Sequence, residues 1–423
     1  GVSSAAADVY KRQGIYCLLT KKIKGAKIKE KEEEIFMTYY IKADQFFYAY
    51  ETKKGGFLEI TDGKFGEWTE EAPAGADILD YSGQSIAPGL VETHIHGFGG
   101  ADAQDAEVEG IMGTMSEGLL SAGVTSFLPS PLTDDHEGLK AVCTVVGEHY
   151  QEARGAKVRG IFFEGPFFTE EKKGAQNPKY MRDAKMWELE DWQEAAHGML
   201  KKIGLAPERD GSEDFIRKAT ESGVVIALGH SNATYKQAVA GVQAGASVWV
   251  HTFNGMSGMT HQEPGMVGAI LNTPNTYAEL ICDGHHVRPE AAEIVMKMKG
   301  ADHVVLITDS MRAAGLPDGP YMLGEYEVEV RDGAAWLPTG RPAASILTLK
   351  TAVKNVIDWG IATPAEAIMM ASLTPAKSVN IDDVCGQIKP GLSADFIVLD
   401  NDFDLVATYL AVSYTHLRAH ETL

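Results

Sequence analysis

The sequence has few cysteines, and those it has are far apart. Its 423 residues contain only Cys17, Cys143, Cys282 and Cys385, and none of them forms a CxxC pair. This usage excludes a disulfide framework and is typical of a protein from a reducing compartment.

Long hydrophobic runs and an excess of positive charge are also missing. No apolar stretch approaches the roughly 20 residues that span a bilayer, and the first residues lack the apolar core of a signal peptide. We therefore expect a cytoplasmic protein with no membrane partner. The 38 Lys and Arg residues against 59 Asp and Glu give a net charge of −21. This balance excludes nucleic acid as a partner, because phosphate backbones are bound by clusters of Lys and Arg.

The two ends of the sequence differ from the rest in their residue pattern. Residues 1–13 and 411–423 resemble translated adapter sequence, and residues 14–36 fit no element of a folded domain. We expect residues 1–36 and 411–423 to be non-native extensions, although a genuine disordered tail has the same composition. His416 and His420 are therefore not treated as ligand candidates.

The rest of the sequence predicts an α/β protein with two domains. Residues 37–86 and 385–410 contain short β-prone runs and turn residues, which predict one small β-sandwich domain built from both segments. Residues 87–384 alternate apolar runs with helical stretches and allow a β insertion near 320–342. This alternation predicts a (β/α)₈ TIM-type barrel. An open doubly wound sheet is the alternative, but the HGFGGAD segment lacks the GxGxxG spacing of that fold.

In a barrel the ends of the apolar runs share one mouth, where catalysis takes place. The eight runs end at about Thr93, Pro129, Glu164, Ala206, His230, His251, Asp283 and Asp309. His94 and His96 stand two apart, so their side chains share one face of an extended strand. Glu164 precedes Gly165–Pro166, which we expect to end its strand, because Pro cannot donate to a strand ladder. His230 and His251 end two later strands.

Each of these residues has an ordinary explanation when it is taken alone. An isolated HxH pair fits two loop histidines, and a single buried histidine or Glu can be paired within the core. Together, the four histidines and Glu164 predict a site for Zn²⁺ or Fe²⁺, with one ion or two. Asp309, at the end of the eighth run, is the candidate catalytic acid and base for a metal-activated water.

Two further segments are candidates for substrate binding. The small residues around Asn254 and Gly255 could present backbone N–H groups to an anion, although a plain flexible loop has the same composition. One of the adjacent histidines, His285 and His286, is predicted to contact substrate from the seventh strand end.

Nine segments in this order resemble the N-acetylglucosamine-6-phosphate deacetylases of the amidohydrolase superfamily. The segments are PGLVETHIHGFGG, FFEGPFF, LAPE, LGHSNAT, VHTFNGM, EPGMVGAI, DGHHV, TDSMRAAG and PGLSADFIVLD. The resemblance implies a barrel with a small β domain, a homodimer, and hydrolysis of the N-acetyl group of a phosphorylated amino sugar. An epimer such as N-acetylgalactosamine 6-phosphate remains open as the substrate, as does a cyclic amide. A non-catalytic scaffold protein is disfavoured, because no ligand position has been lost.

By position, the resemblance gives roles to the candidate residues. Glu164, His230 and His251 match the principal metal ligands, and Asp309 matches the catalytic base. His94 and His96 match a second metal subsite that only some members keep. The Asn254–Gly255 backbone and the His286 side chain match substrate and phosphate contacts.

The sequence departs from the family pattern at several positions. Glu92 occupies a position where the family usually has Asp, and Phe162 and Gln176 occupy positions where it often has His. Gln262 occupies the position of an Arg that, in many members, reaches the substrate phosphate across the dimer. A neutral amide cannot supply the charged, two-pronged contact that Arg makes with phosphate. Arg288 is the candidate to compensate for this change.

Overall fold

The structure is a computed structural model that describes residues 38–340 and 342–411. Of the expected extensions at residues 1–36 and 411–423, all but Ala411 lie outside the described residues, with Cys17, His416 and His420 among them. The Ala411 N–H donates to Asp395 Oδ1 at 2.9 Å.

The described chain begins with five strands that supply many of the side chains of one apolar core. These strands are β1 (Thr38–Phe47), β2 (Thr52–Lys54), β3 (Phe57–Thr61), β4 (Lys64–Thr69) and β5 (Ile78–Pro88). β1 pairs antiparallel with β2 and β3, and it pairs parallel with β5.

The middle of the chain is built from parallel strands. The strands here are β6 (Leu90–Ile95), β7 (Gly97–Phe98), β8 (Ala101–Asp102), β9 (Val124–Pro129), β10 (Lys157–Val158), β11 (Ile161–Phe167), β12 (Leu200–Leu205), β13 (Val225–Leu228), β14 (Val248–Trp249), β15 (Tyr277–Ile281) and β16 (Val304–Ile307). One parallel sheet has the order β10-β9-β6, and the other runs in chain order from β11 to β16. Strands β7 and β8 form a separate antiparallel pair.

Helices follow most of the parallel strands and bury one side against them. They are α1 (Ile111–Ser121), α2 (His136–His149), α3 (Met186–Ala195), α4 (Ser212–Glu221), α5 (Tyr235–Ala244), α6 (Gly265–Leu271), α7 (Pro289–Lys299), α8 (Leu349–Asp358), α9 (Pro364–Met370) and α10 (Leu373–Ser378). Local sequence fixes several of their starts. Thr234 and Gln237 form a capping box at α5, and Thr363 and Glu366 form another at α9.

The prediction that Gly165–Pro166 ends the third parallel strand is wrong. Strand β11 continues to Phe167, and all seven of its residues are buried. The pairing of β11 with β12 shifts register between Phe163 and Phe167. A register shift of this kind leaves residues outside the ladder, so the missing N–H of Pro166 costs no strand hydrogen bond.

The final strands complete the β-rich part of the chain. Strands β17 (Gly319–Leu323), β18 (Tyr326–Arg331), β19 (Ala334–Trp336) and β20 (Pro342–Ser345) form an antiparallel sheet of their own. Strand β21 (Phe396–Leu399) instead pairs with β5, and β22 (Leu405–Tyr409) pairs with β21. Seven strands from both ends of the described chain therefore form one hydrogen-bonded sheet.

That seven-stranded sheet folds back on itself around its own apolar core. The Phe65 N–H donates to Leu392 O at 2.9 Å, and the Gly391 N–H donates to Phe65 O at 2.8 Å. These bonds join β4 to the segment before β21. Buried side chains from both parts, such as Ile41 and Phe396, share one cluster.

A larger apolar core lies between the parallel strands and their helices. It includes fully buried residues such as Phe127, Ile203, Trp249 and Leu306. Within the described residues, no helix is both long enough and apolar enough to span a membrane.

Candidate metal centre

Six side chains at or just beyond the carboxyl ends of the parallel strands come together in the structure. They form two overlapping groups, and within each group the possible ligand atoms lie within 4.8 Å of one another. The first group is His94, His96, Glu164 and Asp309; the second is Glu164, His230 and His251. Glu164 belongs to both groups. His94 and Glu164 lie within β6 and β11, and the other four residues follow the ends of β6, β13, β14 and β16. The strand order thus brings together side chains that are far apart in sequence.

The carboxylate of Glu164 lies at the centre of this arrangement. Its Oε1 atom is 3.0 Å from His230 Nε2 and 2.9 Å from His251 Nε2. Its Oε2 atom is 3.2 Å from His96 Nε2, and that nitrogen is 2.9 Å from Asp309 Oδ1. One carboxylate therefore contacts side chains in both halves of the cluster.

Hydrogen bonds on the far side of three imidazole rings fix which nitrogen faces the cluster. His96 Nδ1 is 2.6 Å from Ser130 O, and His230 Nδ1 is 2.8 Å from Lys172 O. A carbonyl oxygen only accepts, so each Nδ1 carries a proton, and in the neutral imidazole that binds a metal each Nε2 presents its lone pair to the cluster. His94 Nδ1 is 3.0 Å from the carboxylate of Glu279, which favours the same tautomer.

The charges of the cluster suit a divalent cation. His94 Nε2 is buried, and it has no hydrogen-bond partner among the described residues although it faces Glu164 and Asp309. Burial lowers the pKa of His94, but the carboxylates of Asp309, Glu164 and Glu279 raise it to about 9. Burial raises the pKa of Glu164, and the surrounding histidines hold that pKa well below its usual value. Carboxylates that stabilise an imidazolium so strongly also stabilise a metal ion, so these residues fit a divalent metal.

The backbone at the cluster is held in an uncommon conformation. His230, His251 and Asp309 have φ angles of 43°, 29° and 48°. Residues other than Gly seldom adopt positive φ, and such residues gather at functional sites where the surrounding structure enforces them.

Gln176 is part of the support for Glu164. Its amide nitrogen donates to Glu164 Oε2, and its amide oxygen accepts from the Thr133 N–H at 2.7 Å. Both faces of this buried amide are used, so Gln176 connects Glu164 to the segment after β9.

His286 lies at the same end of the strands as Asp309. Its Nδ1 atom is 2.6 Å from Asp283 Oδ2, which leaves Nε2 directed away from Asp283. Burial lowers the pKa of His286, but Asp283, with a smaller contribution from Asp309, raises it. His285 is exposed and packs edge-on to Trp336 of β19 at a centroid distance of 6.3 Å.

The loop around Asn254 and Gly255 packs closely on the cluster. The Asn254 N–H donates to His251 O at 3.0 Å, so it is used within the loop. Gly255 has a φ of +57°, and a Cβ atom there would lie 2.9 Å from His230 Nδ1. Gly is needed at this position because the backbone passes directly against the histidine ring.

Gln262 and Arg288 lie apart from these contacts. Gln262 is exposed, and within residues 38–340 and 342–411 it makes no side-chain hydrogen bond. Arg288 is also exposed, and its Nη1 atom donates to Gly284 O at 3.4 Å. A phosphate role for either residue stays a prediction.

Sequence reasoning missed three buried charges beneath the cluster. Lys202 and Glu279 are paired at 2.5 Å, and Glu92 accepts the backbone N–H groups of His94 and Thr308. Burial raises the pKa of Glu92 to about 7. The signal was present in the sequence, because a charged residue inside an otherwise apolar strand must find a partner.

Comparison with known proteins agrees with this geometry. The model of the amidohydrolase family matches residues 85–418. An N-acetylglucosamine-6-phosphate deacetylase from Vibrio furnissii is 38% identical over 336 residues, which is 79% of this chain and 84% of that protein. An N-acetylgalactosamine-6-phosphate deacetylase from Escherichia coli O157:H7 is 37% identical over 330 residues, which is 78% of this chain and 87% of that protein.

Solved structures give the same result. An N-acetyl-D-glucosamine-6-phosphate deacetylase from Mycobacterium smegmatis superimposes with a TM-score of 0.84 at 29% identity, covering 88% of this chain and 98% of that one. The similarity therefore spans nearly the whole of that structure.

Proposed function

The chain belongs to the amidohydrolase family, and from this we propose that it is a divalent-metal deacetylase that hydrolyses N-acetyl-D-glucosamine 6-phosphate to D-glucosamine 6-phosphate and acetate. The observation that carries the proposal is the pair of ligand groups sharing Glu164, with histidine Nε2 atoms turned inward. The names of the relatives support the substrate.

Glu164, His230 and His251 would hold the principal metal ion, and His94, His96 and Asp309 would complete a second subsite with Glu164. Nitrogen and carboxylate ligands suit Zn²⁺ or Fe²⁺. When bound, a divalent ion here supplies Lewis acidity, which lowers the pKa of water and polarises the acetyl carbonyl.

Asp309 is proposed to move the proton. Its side chain is 12% exposed, while those of Glu164 and His94 are 3% and 0% exposed, so among these three carboxylate and imidazole groups it is the most open to substrate. His94 and His96 hold its pKa below the usual value even though burial raises it, so the carboxylate is ionised and can accept a proton. It would take the proton from the attacking water and deliver it to the departing amine.

The remaining predicted residues would form the sugar site. His286 Nε2, fixed by Asp283, is placed to donate to substrate, and Gly255 would offer its backbone. Gln262 and Arg288 are the candidates for the phosphate contacts. Gln176 was a candidate for the same role, but its buried amide is bonded to Glu164 and Thr133, so we propose that it holds Glu164 instead. A homodimer is proposed because Gln262 occupies the position whose Arg side chain, in many members of the family, reaches the other subunit's substrate. A cytoplasmic location is proposed with it.

We also propose that the eight strands β6, β9 and β11–β16 close into a (β/α)₈ barrel, with residues 37–86 and 385–410 forming the small β domain and 87–384 the barrel. Backbone hydrogen bonds between neighbouring sheet ends support closure. The Asp309 N–H donates to His94 O at 3.0 Å, and the Glu164 N–H donates to Pro131 O at 3.3 Å.

A cyclic-amide hydrolase of the same superfamily is the alternative reaction. Many such enzymes bridge two metals with a carboxylated lysine at the end of the fourth strand. Here β12 has two lysines, of which Lys202 is the buried one; its ammonium is paired with Glu279 and donates to Thr93 O at 2.9 Å. A carboxylated lysine is an anion and could not make this close contact with the Glu279 carboxylate, so the contacts disfavour the alternative.

Acetate release distinguishes the possible substrates. We expect acetate from N-acetylglucosamine 6-phosphate, with N-acetylgalactosamine 6-phosphate and unphosphorylated N-acetylglucosamine as comparisons. A protein that has bound metal and releases no acetate from any of the three would contradict the deacetylase proposal. A faster rate on the galactosamine epimer would reassign the substrate, as the 37% identical relative allows.

Replacing Gln262 by Arg is expected to lower KM for the phosphorylated substrate by about tenfold, because a hydrogen bond to a charged group contributes about 1.5–3 kcal/mol. KM for the unphosphorylated sugar should stay unchanged. Gln262→Met is the control, since it keeps the length of the side chain without its polar group. An unchanged KM for the phosphorylated sugar in Gln262→Arg would show that position 262 does not reach the phosphate.

A further inference from the structure

An ion pair lies in the interior of the parallel strands, beneath the metal cluster. Lys202 on β12 and Glu279 on β15 are both fully buried, and Lys202 Nζ is 2.5 Å from Glu279 Oε1. Two strands, β13 and β14, separate β12 from β15 in the sheet, so the pair crosses the interior instead of joining neighbouring strands. Burial of two charges is unfavourable unless their geometry is close and their remaining hydrogen bonds are made.

The second oxygen of Glu279 faces the metal ligands. Glu279 Oε2 is 3.0 Å from His94 Nδ1, and it accepts the backbone N–H of His251 at 3.3 Å. One carboxylate oxygen therefore contacts two proposed ligands that come from different strands. A carboxylate on the far nitrogen of a ligand imidazole fixes the tautomer and ring orientation and makes the facing nitrogen a better metal donor.

Lys202 holds this carboxylate in place and contacts the His94 strand directly. Its Nζ atom donates to Thr93 O at 2.9 Å, and it lies 3.7 Å from the centre of the Phe162 ring. The Phe162 ring in turn contacts His94 edge-on at a centroid distance of 4.8 Å. The ammonium thus reaches His94 by three routes: through Glu279, through the backbone of Thr93 and through the Phe162 ring.

From these contacts we propose that Lys202 and Glu279 are positioning residues for the metal site, which orient His94 and His251 and raise the affinity of the cluster for a divalent ion. Both side chains are 0% exposed, so neither is open to substrate. This inference rests on one part of the proposed function, namely that the cluster binds a divalent metal. It does not depend on which amide is hydrolysed.

Two measurements test the proposal. One is zinc affinity, measured by competition with a chromophoric chelator, and the other is the melting temperature of the metal-free protein. We expect Glu279→Gln to weaken zinc binding by about 10- to 100-fold, the range for second contacts of metal ligands. It should also lower the melting temperature, because Lys202 is left as an unpaired buried charge.

The double variant Lys202→Met/Glu279→Gln separates positioning from stability. Removing both charges takes away the unpaired ammonium, so the melting temperature of the metal-free protein should return towards that of the wild type. Zinc affinity should remain weakened, because the carboxylate on His94 is still missing. A double variant that binds zinc as tightly as the wild type would overturn the proposal, as would wild-type affinity in Glu279→Gln.

Asp395→Asn is the matched control. Asp395 is a buried carboxylate paired with Lys157 at 2.7 Å, and it belongs to the segment before β21, not to the metal cluster. We expect a lower melting temperature with unchanged zinc affinity. Equal weakening of zinc binding in this control would mean that lost stability alone explains the effect, and the proposal would fail. Acetate release by the wild type is measured separately, so failure of the deacetylase proposal and failure of the positioning proposal give different results.

Discussion

Replacing Asp309 by Asn is expected to lower kcat by about 10³-fold, within the range that proton transfer by a positioned side chain contributes. The amide has nearly the same shape as the carboxylate, but it cannot accept the proton of the attacking water or return one to the amine. KM should change little, because the proton moves in the chemical step and the sugar contacts remain. Steady-state kinetics of acetate release measure both quantities.

The metal content of the Asp309→Asn variant is the necessary control. Glu164, His230 and His251 form a ligand group without Asp309, so at least one bound ion per chain should be retained. Metal analysis of the purified variant checks this. Turnover at the wild-type rate with metal present would refute the role of Asp309 as proton carrier. Loss of all metal would show instead that Asp309 acts chiefly as a ligand.

Replacing Glu164 by Ala is expected to remove both bound metal and activity, because this carboxylate is the one residue common to the two ligand groups. Without it, His230 and His251 lose the anion that lies 3.0 and 2.9 Å from their Nε2 atoms. Metal content should fall to background, and acetate release should become undetectable. Metal analysis after gel filtration and the acetate assay measure these outcomes.

Glu188→Gln serves as the control for the loss of Glu164. The Glu188 side chain is 3% exposed and pairs with Arg182 at 2.8 Å, so it is an equally buried carboxylate outside the cluster. This variant should keep its metal and its activity. If Glu164→Ala retained the wild-type metal content, the central position of Glu164 in the site would be contradicted.

Local patterns in the sequence already indicated which residues are candidate metal ligands. A spacing of two places His94 and His96 on one face of a strand, and this follows from the geometry of any extended chain. Alternating apolar runs and helical stretches predicted parallel strands with helices between them, because each element must bury an apolar side. The strands β11 to β16 follow one another in the order of the chain, as that alternation predicts.

Other features of the site depend on pairs of residues that no local pattern connects. His94 and Glu279 are 185 residues apart, and Lys202 is 77 residues from Glu279. A charged residue in an apolar strand signals that a partner exists, but its identity depends on which strands face each other across the interior. The positive φ angles of His230, His251 and Asp309 are equally non-local, because the surrounding contacts impose them against the preference of the residues.

The sequence by itself determined the family and the residue types that can bind a metal, because motif order and strand periodicity are properties of the chain alone. Only the tertiary structure decided that Gln176 contacts Glu164, that Glu279 contacts His94 and that β11 continues through Pro166. The physical reason is that hydrogen-bond partners and strand register are set by the packing of distant segments. The outward nitrogens of His96 and His230 find their acceptors, Ser130 O and Lys172 O, only after that packing is complete.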